Sequence, residues 1–195
     1  MKVTSLATSA KSIAIIFALA CTSITTVHAD DKSKASGQQN IRDLANETLQ
    51  RLYKAQPMAR ARVEHGAGYA VFNNMGIKIL VAGSGTGKGI AVNNKTKKET
   101  FMKMVEVQAG LGMGVKKFSV VFVFDNVGVL NSFINSGWEL GGQANASAKT
   151  STKGGDLSGA ASVSDGIWMY QMTDKGLSAE ITAKGTKYYK DSDLN

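Results

Sequence analysis

Cysteine and histidine are almost missing from this chain of 195 residues. Cys21 is the only cysteine, and His28 and His65 are the two histidines. If the first 29 residues are removed, as argued below, only His65 is left of these three. One histidine without cysteine cannot supply the three protein ligands of a catalytic zinc site, and no disulfide can form. We therefore expect no metal ion and no cofactor.

Groupings of residues that perform catalysis are also missing. The acidic residues are scattered, and Asp30-Asp31 is the only adjacent pair. No Gly-x-Ser-x-Gly elbow occurs together with a second usable histidine. Oxygen-only calcium binding around Asp156, Asp165 or Asp191 lacks the regular aspartate spacing of a dedicated calcium loop. These absences predict a protein that is not an enzyme.

One glycine-rich segment is similar to a phosphate-binding loop but does not meet its requirements. Residues 82–89 read AGSGTGKG. A phosphate-binding loop needs serine or threonine directly after the lysine to hold magnesium, and a helix whose N-terminus points at the phosphates. Here Gly89 follows Lys88, and the chain continues as Ile-Ala-Val, which is typical of a strand. The segment is predicted to be a glycine-rich hairpin between strands, so nucleotide binding is not expected.

The first 29 residues have the three parts of a secretory signal. Lys2 and Lys11 supply positive charge, residues 13–20 are apolar, and residues 27–29 form a small-residue cleavage site. The apolar run is far too short to span a bilayer. Cleavage before Cys21 with lipid attachment is the competing interpretation, but leucine is missing three residues before that cysteine. We expect a periplasmic or extracellular protein, which is tethered to a membrane only in the second case.

The rest of the chain is predicted to form a single domain. Residues 30–39 are polar and lack apolar periodicity, so they are predicted to be a flexible leader. Residues 40–195 are then long enough for one domain with its own core.

Three helices are predicted within this domain. Residues 41–53 repeat apolar side chains at helical spacing, and Pro57 fits the start of a second short helix. A third helix spans residues 127–136, where Asp125 or Asn126 serves as the N-cap.

About nine short strands are predicted in the remainder. Between Val105 and Val115, apolar residues recur at every second position with small residues between them, and residues 118–124 form a continuous apolar run typical of a strand buried on both faces. Glycine at alternate positions bares one face of a sheet, as happens where a sheet bends sharply. The predicted fold class is α+β. The N-terminal helices pack on a strongly curved, mostly antiparallel, glycine-rich sheet, barrel- or sandwich-like, with the short helix at 127–136 inserted.

Four sequence blocks occur in an order and spacing that resembles a known family. They are GAGYAVFNN at residues 66–74, a block running from VQAGLGMGVKKF through VFVFDN to SGWELGGQANA at 107–146, KGGDLSGAASVSDGIWMYQMTDKGL at 153–177, and GTKYYKDSDLN at 185–195. The chain is similar to bacterial members of the SYLF lipid-binding domain family over about residues 41–195. Asn73 departs from the proline that many members have at this position. The resemblance implies phospholipid binding, often of phosphoinositides, and implies no enzyme.

Basic residues are the best lead to a binding surface. The chain has 23 lysines and arginines against 15 aspartates and glutamates, a net charge of +8. A single surface lysine usually only keeps a protein soluble, but several together can face anionic headgroups, each contributing about 1 kcal/mol. The predicted headgroup contacts lie at strand ends, in a loop and beside the second helix: Lys116, Lys117, Lys149, Lys153, Arg60 and Arg62. Nucleic acid is not an expected partner, since the aromatic residues lie mostly in apolar strands.

The first predicted helix has two interpretations. Its apolar stripe could contact a membrane or could pack on the sheet as part of the core. Core packing is favoured, because the polar face carries Asp43 and Glu47 besides the bases, and because the stripe has neither tryptophan nor phenylalanine. In the membrane interpretation the contacting residues are Ile41, Leu44, Leu49, Leu52 and Tyr53.

Two functional hypotheses follow from the sequence. The first is an exported, non-enzymatic protein that binds anionic phospholipid, including phosphoinositide, at a membrane surface of the cell envelope. The second is a structural or protein-interaction module of the envelope, in which the glycine-lined sheet packs against a protein partner. No oligomeric state is predicted.

Overall fold

Three helices and nine strands are present among the residues that the computed structural model describes, which are 25–79, 82–109, 114–140, 159–173, 176–177 and 185–195. The helices are α1 at Thr25–Ala55, α2 at Met58–His65 and α3 at Val127–Ser136. The strands are β1 at Gly68–Ile79, β2 at Ala82–Asn93, β3 at Glu99–Ala109, β4 at Gly114–Phe124, β5 at Trp138–Leu140, β6 at Ala161–Ser164, β7 at Ile167–Thr173, β8 at Gly176–Leu177 and β9 at Thr186–Lys190.

All strand pairs are antiparallel and belong to one sheet, in the order β5-β9-β3-β2-β1-β4-β7-β6, with β8 also paired to β7. The sheet curls into a nearly closed, barrel-like shape, which is combined with an N-terminal helix. The α+β class predicted from the sequence is thus confirmed. The predicted strand segments at residues 141–148 and 178–183 lie outside the described residues.

Helix α1 is longer than the sequence predicted. It includes residues 30–39, which were expected to be a flexible leader. Lys34 Nζ donates a hydrogen bond to the backbone oxygen of Asn195 at 2.8 Å, and Gln38 Nε2 donates to that of Leu194 at 2.7 Å. These contacts with the last residues of the chain stabilise a polar helix that local sequence preferences do not favour.

The two shorter helices lie where the sequence predicted them. Pro57 occupies the N-cap position of α2. Asn126 caps α3, because its side-chain oxygen accepts a hydrogen bond from the backbone nitrogen of Val129 at 2.9 Å. Gly137, with φ of 71°, ends α3 in a conformation that favours glycine.

The inner face of the sheet carries a cluster of aromatic side chains. Phe122 of β4 is fully buried, and the ring centroids of Phe72, Phe133, Trp138 and Tyr188 lie 5.0–6.1 Å from its own. Phe133 comes from α3, so this helix packs directly on the inner face. The prediction that Trp138 packs against the strand at 118–124 is confirmed by its 5.5 Å edge-to-face contact with Phe122.

The outer face of the same strands packs against α1 and α2. Ile41, Leu49 and Leu52 of α1 are 4, 6 and 0% exposed and belong to one cluster with Val71 and Val121 of the sheet. With both faces of the sheet covered, β4 is buried on both sides, as its continuous apolar run predicted. These three side chains of the apolar stripe on α1 therefore belong to the core. Lipid could contact them only if α1 separated from the sheet.

The glycine-rich segment at residues 83–89 is not a hairpin. It lies inside β2, where Gly87 pairs with Asn74 of β1 on one side and with Met104 of β3 on the other. A Cβ added to Gly87 would lie 2.5 Å from the backbone oxygen of Asn73, so the glycine allows close approach of the neighbouring strand. An extended, doubly paired backbone cannot wrap around a phosphate.

Candidate functional site

A groove of about 770 Å³ lies between one side of α1 and the outer face of the sheet. The α1 side chains that line it recur every three or four residues, as one face of a helix requires: Leu44, Glu47, Thr48 and Arg51. The opposite wall is supplied by β1, β2, β3, β4, β7 and β9. A cavity of this size is within the range of small-molecule sites in proteins.

The floor of the groove is one row of residues that crosses six paired strands. Directly paired residues of antiparallel strands point to the same face of a sheet, so the row is continuous. From β9 to β7 it consists of Tyr189, Lys103, Lys88, Asn73, Ser119 and Met172. All six residues line the groove. The ends of the row are largely apolar and its middle is polar.

Asn73 lies at the middle of this row and is held by two hydroxyl groups. Its Oδ1 accepts hydrogen bonds from Thr48 Oγ1 at 3.0 Å and from Ser119 Oγ at 2.6 Å. Both hydroxyl-bearing residues are buried. The amide nitrogen of Asn73, which carries two donor hydrogens, has no hydrogen-bond partner among the residues that the structure describes.

Three cations and one carboxylate line the groove: Arg51, Lys88, Lys103 and Glu47. Arg51 Nη2 donates to the backbone oxygen of Thr173 at 2.9 Å, which leaves further guanidinium donors. Lys88 is exposed and forms no hydrogen bond or ion pair with any of the described residues. Its ammonium group is therefore available to a ligand.

Lys103 differs from Lys88, because two carboxylates neutralise it. Its Nζ lies 2.9 Å from Asp191 Oδ1 and 2.7 Å from Asp193 Oδ2. The hydrogen bonds to Asp193 and then Asp191 raise the pKa of Lys103, and the same bond lowers the pKa of Asp193. Asp191 is only 1% exposed, so loss of this ammonium group would leave a buried carboxylate without its ion-pair partner.

Replacing Lys103 with methionine is expected to raise the pKa of the Asp193 carboxyl towards its ordinary value of 3.8. The pKa of Asp193 is lowered in the folded state. The ion pair with Lys103 therefore stabilises the fold at pH values above the unfolded-state pKa of Asp193, and this stabilisation is lost as the pH falls through the folded-state pKa. NMR titration of the Asp193 side-chain carboxyl measures its midpoint in the unmodified protein and in Lys103→Met. Lys98→Met, in an exposed turn, is the control. An Asp193 midpoint that is the same in Lys103→Met and in the unmodified protein would contradict the pairing.

The first four predicted headgroup bases either belong to β4 or lie outside the described residues. Lys116 and Lys117 were predicted at a strand end, but both lie inside β4 with their backbones paired to β1. The strand continues through this basic pair because β1 is long enough to supply backbone partners along its whole length. Lys149 and Lys153 lie outside the described residues.

The other two predicted bases, Arg60 and Arg62, lie on aromatic rings instead of in the groove. The guanidinium carbon of Arg60 is 4.4 Å from the ring centroid of Tyr53, and that of Arg62 is 4.1 Å from the ring of Trp168. Burial raises the pKa of Tyr53 to about 12. These cation–π contacts join α2 to α1 and to β7.

Among the five residues predicted for membrane contact, Leu44 has the accessible position. It is 40% exposed and lines the groove. Tyr53 is half-buried under Arg60.

The sequence did not identify Lys88 as a groove residue, because the pattern around it was interpreted only as an incomplete phosphate-binding loop. The alternation from Lys88 to Ile90 and Val92 was the signal that places it on the face covered by α1.

The described residues contain no group of three histidine, cysteine, aspartate or glutamate side chains that could hold a metal ion. Nor does any helix in this part of the chain have the length and apolar character needed to cross a bilayer. The groove combines hydrogen-bond donors at its centre with apolar side chains at both ends.

Comparisons with known proteins give two matches. Residues 105–195 match the sequence model of a family described as Ysc84, Las17-binding protein actin regulator. A protein of Aeromonas veronii named beta cell expansion factor A is 32% identical over 154 residues. The alignment covers 79% of this chain and 57% of the relative, so the chain spans little more than half of that protein's length. The family match includes β4, β7 and β9, which supply part of the groove.

Proposed function

Through residues 105–195 the chain belongs to the Ysc84 (SYLF) family, and from this premise we propose that it binds anionic phospholipid, phosphoinositides included, at a membrane surface. The family is one of binding modules linked to actin and lipid. The proposed role is accordingly non-enzymatic. The secretory signal that the sequence predicts at residues 1–29 supports a proposed place in the cell envelope.

The observation that carries the proposal is a surface on which apolar and basic side chains are mixed. Leu44, Val105 and Tyr189 are 40, 36 and 37% exposed, and Leu44 and Tyr189 both line the groove. Val105 pairs directly with Lys187, two residues before Tyr189, and Lys88 lies in the same row as Tyr189. Lys88 and Lys187 are both exposed. We call these five residues the mixed surface.

The mixed surface suits a membrane because its two kinds of side chain act at different depths. Lysines are attracted to the headgroups, each contributing about 1 kcal/mol near an anionic surface. The apolar side chains can then insert at the boundary between headgroups and acyl chains. The bases predicted from the sequence, Lys116, Lys117, Lys149, Lys153, Arg60 and Arg62, are proposed as further contributors.

Charge reversal of Lys88 and Lys187 together is expected to weaken binding to anionic vesicles by about tenfold or more, because two attractive charges become repulsive. Flotation with vesicles rich in phosphatidylglycerol, cardiolipin or phosphoinositide measures this, with phosphatidylcholine vesicles for comparison. Binding should also weaken as salt rises, since exposed charges are screened over about 8–10 Å at physiological salt.

The matched control is Lys95→Glu with Lys98→Glu, which makes the same change in net charge at the exposed turn between β2 and β3. If both pairs of substitutions reduce flotation equally, net charge alone governs binding and the mixed surface has no special part. If neither reduces it, the electrostatic mechanism is wrong.

A protein partner is the second candidate function. The family description names Las17 binding and actin regulation, which are interactions with proteins. The mixed surface could then contact an acidic protein. Absence of flotation with every vesicle, together with recovery of one envelope protein in a pulldown that Lys88→Glu with Lys187→Glu abolishes, would favour this candidate.

A further inference from the structure

We infer that the groove between α1 and the sheet holds a single molecule of an anionic amphiphile, with its phosphate or carboxylate group at Lys88, Arg51 and Asn73. Its hydrocarbon chain lies against the apolar side chains that α1 and the outer face of the sheet present to the groove, which are Leu44, Met172 and Tyr189. The choice of a lipid as the source of the anionic group rests on the proposed function. The inference goes beyond that function, because adsorption to a membrane surface needs no cavity.

The polar centre of the groove is built so that donors face a ligand. Lys88 is paired directly with Asn73, which places their Cβ atoms about 4.5–5.5 Å apart on the same face. Arg51 follows Thr48 by three residues on the lining side of α1, and Thr48 is hydrogen-bonded to Asn73. Groups from α1, β1 and β2 are therefore gathered at one place.

The orientation of the Asn73 side chain leaves its amide nitrogen as a hydrogen-bond donor at this centre. Thr48 and Ser119 are buried, at 2 and 6% exposure, in an interface that is otherwise largely apolar. Placing hydroxyl groups there is costly unless they are hydrogen-bonded. Both donate to the same oxygen of Asn73, so the amide nitrogen is turned away from them with two donor hydrogens that no described residue accepts.

The charges of the groove are balanced in number but unevenly placed. Asp191 and Asp193 both pair with Lys103, whereas Arg51 and Lys88 face the single carboxylate of Glu47. Hydrogen bonds from charged donors to a phosphate or carboxylate oxygen are shorter and stronger than those between neutral groups. A ligand group with one negative charge matches the one positive charge in excess among Arg51, Lys88 and Glu47.

The apolar part of the groove suits a flexible chain. Met172 is buried, whereas Leu44 and Tyr189 are more than one-third exposed at the edge of the groove. Met104 and Phe118 reach the groove from the cluster on the inner face, because they alternate with Lys103 and Ser119 of the floor. Methionine side chains adapt to irregular shapes, which helps them to accommodate chains of different length. A volume of about 770 Å³ is compatible with one chain and a small headgroup.

The inference is tested with lipid below its micelle concentration, so that no membrane surface is present. Titration calorimetry and native mass spectrometry of the full chain with lysophosphatidylglycerol should show saturable binding of one molecule per chain. Glycerol phosphate and inorganic phosphate, which have the anionic group but no hydrocarbon chain, should bind at least about tenfold more weakly, because they lose the apolar contacts.

Two substitutions at exposed positions test the polar centre and the apolar part of the groove one at a time. Neither substitution removes a core side chain. Lys88→Gln should weaken lysophosphatidylglycerol binding about tenfold or more, because it removes a charged donor. Leu44→Glu should weaken it similarly, because it places a carboxylate beside the chain. Lys98→Gln, in the exposed turn, is the matched control and should bind as the unmodified protein does. Thermal melting checks that all three variants fold.

The outcomes distinguish this inference from the proposed function. Flotation with anionic vesicles but no binding of the monomeric lysolipid would overturn the groove and leave the surface mechanism standing. Equal affinity for lysophosphatidylglycerol and inorganic phosphate would overturn the amphiphile and assign the groove to a free anion. Lysolipid binding that Lys88→Gln and Leu44→Glu both leave unchanged would place the lipid elsewhere on the protein.

Discussion

Replacing Phe122 with alanine is expected to lower the free energy of unfolding by about 3–5 kcal/mol. The side chain is fully buried and makes edge-to-face contacts with Phe72, Trp138 and Tyr188, with ring centroids 6.1, 5.5 and 5.0 Å away. Removing the ring takes away its own burial and also one partner from each of these pairs. The surrounding strands are paired on both sides and cannot close the cavity. Urea unfolding at equilibrium measures the change.

Two control substitutions make this prediction specific. Phe122→Leu keeps most of the buried volume and should cost clearly less than the alanine variant. Val127→Ala removes an apolar side chain that is 42% exposed, and it should change the free energy of unfolding by no more than about 0.5 kcal/mol. If all three variants have similar stability, the aromatic cluster is not the centre of the core.

Gly89→Ala is expected to destabilise the fold by about 3 kcal/mol, at the upper end of the usual cost of overpacking. A Cβ at this position would lie 2.4 Å from the backbone oxygen of Val71 and 2.4 Å from Cδ1 of Phe72. The first neighbour is backbone that is paired to β2 and β4, and the second is a ring inside the aromatic cluster. Neither can move without disturbing the centre of the sheet. Thermal and urea unfolding both report the loss.

Gly37→Ala is the matched control, because it makes the same chemical change within helix α1. The nearest atom to the added Cβ is Cδ2 of Leu194 at 3.4 Å, which is ordinary van der Waals contact. Alanine is favoured over glycine inside a helix by up to about 1 kcal/mol, so this variant should be as stable as the unmodified protein or more stable. Equal destabilisation by both substitutions would show that the close approach at Gly89 does not decide the result.

Elements with local signals could be predicted from the sequence. Asn126 and Gly137 mark the two ends of α3 through interactions within a few residues, and the structure has the helix between them. The apolar run of β4 indicated burial on both faces, which is correct. Such features depend on composition and capping, both of which are visible in one short segment.

Elements that depend on distant partners could not be predicted in the same way. Glycines at residues 83–89 are typical of a turn, and only the flanking strands β1 and β3 show that the segment is extended. The polar segment at residues 30–39 has no local reason to be helical, and its stabilising contacts come from residues 156 and 161 positions further along the chain.

The candidate site was hidden for the same reason. Solvated lysines and arginines could be found by composition, and these gave the predicted headgroup contacts. The groove instead depends on strand register, which brings Lys88, Asn73 and Ser119 together from three strands. Register is set by the pairing of the whole sheet, so a single sequence shows which residues are polar but not which of them are neighbours.

The contacts between α1 and residues 194–195 have a consequence for the order of folding. Lys34 and Gln38 donate hydrogen bonds to backbone oxygens of Asn195 and Leu194, which lie 161 and 156 positions further along the chain. Asn195 also exchanges two hydrogen bonds with the backbone of Phe101 in β3. Contacts between residues so far apart form only after a long stretch of chain has been brought together, so we expect the first turns of α1 to dock late in folding.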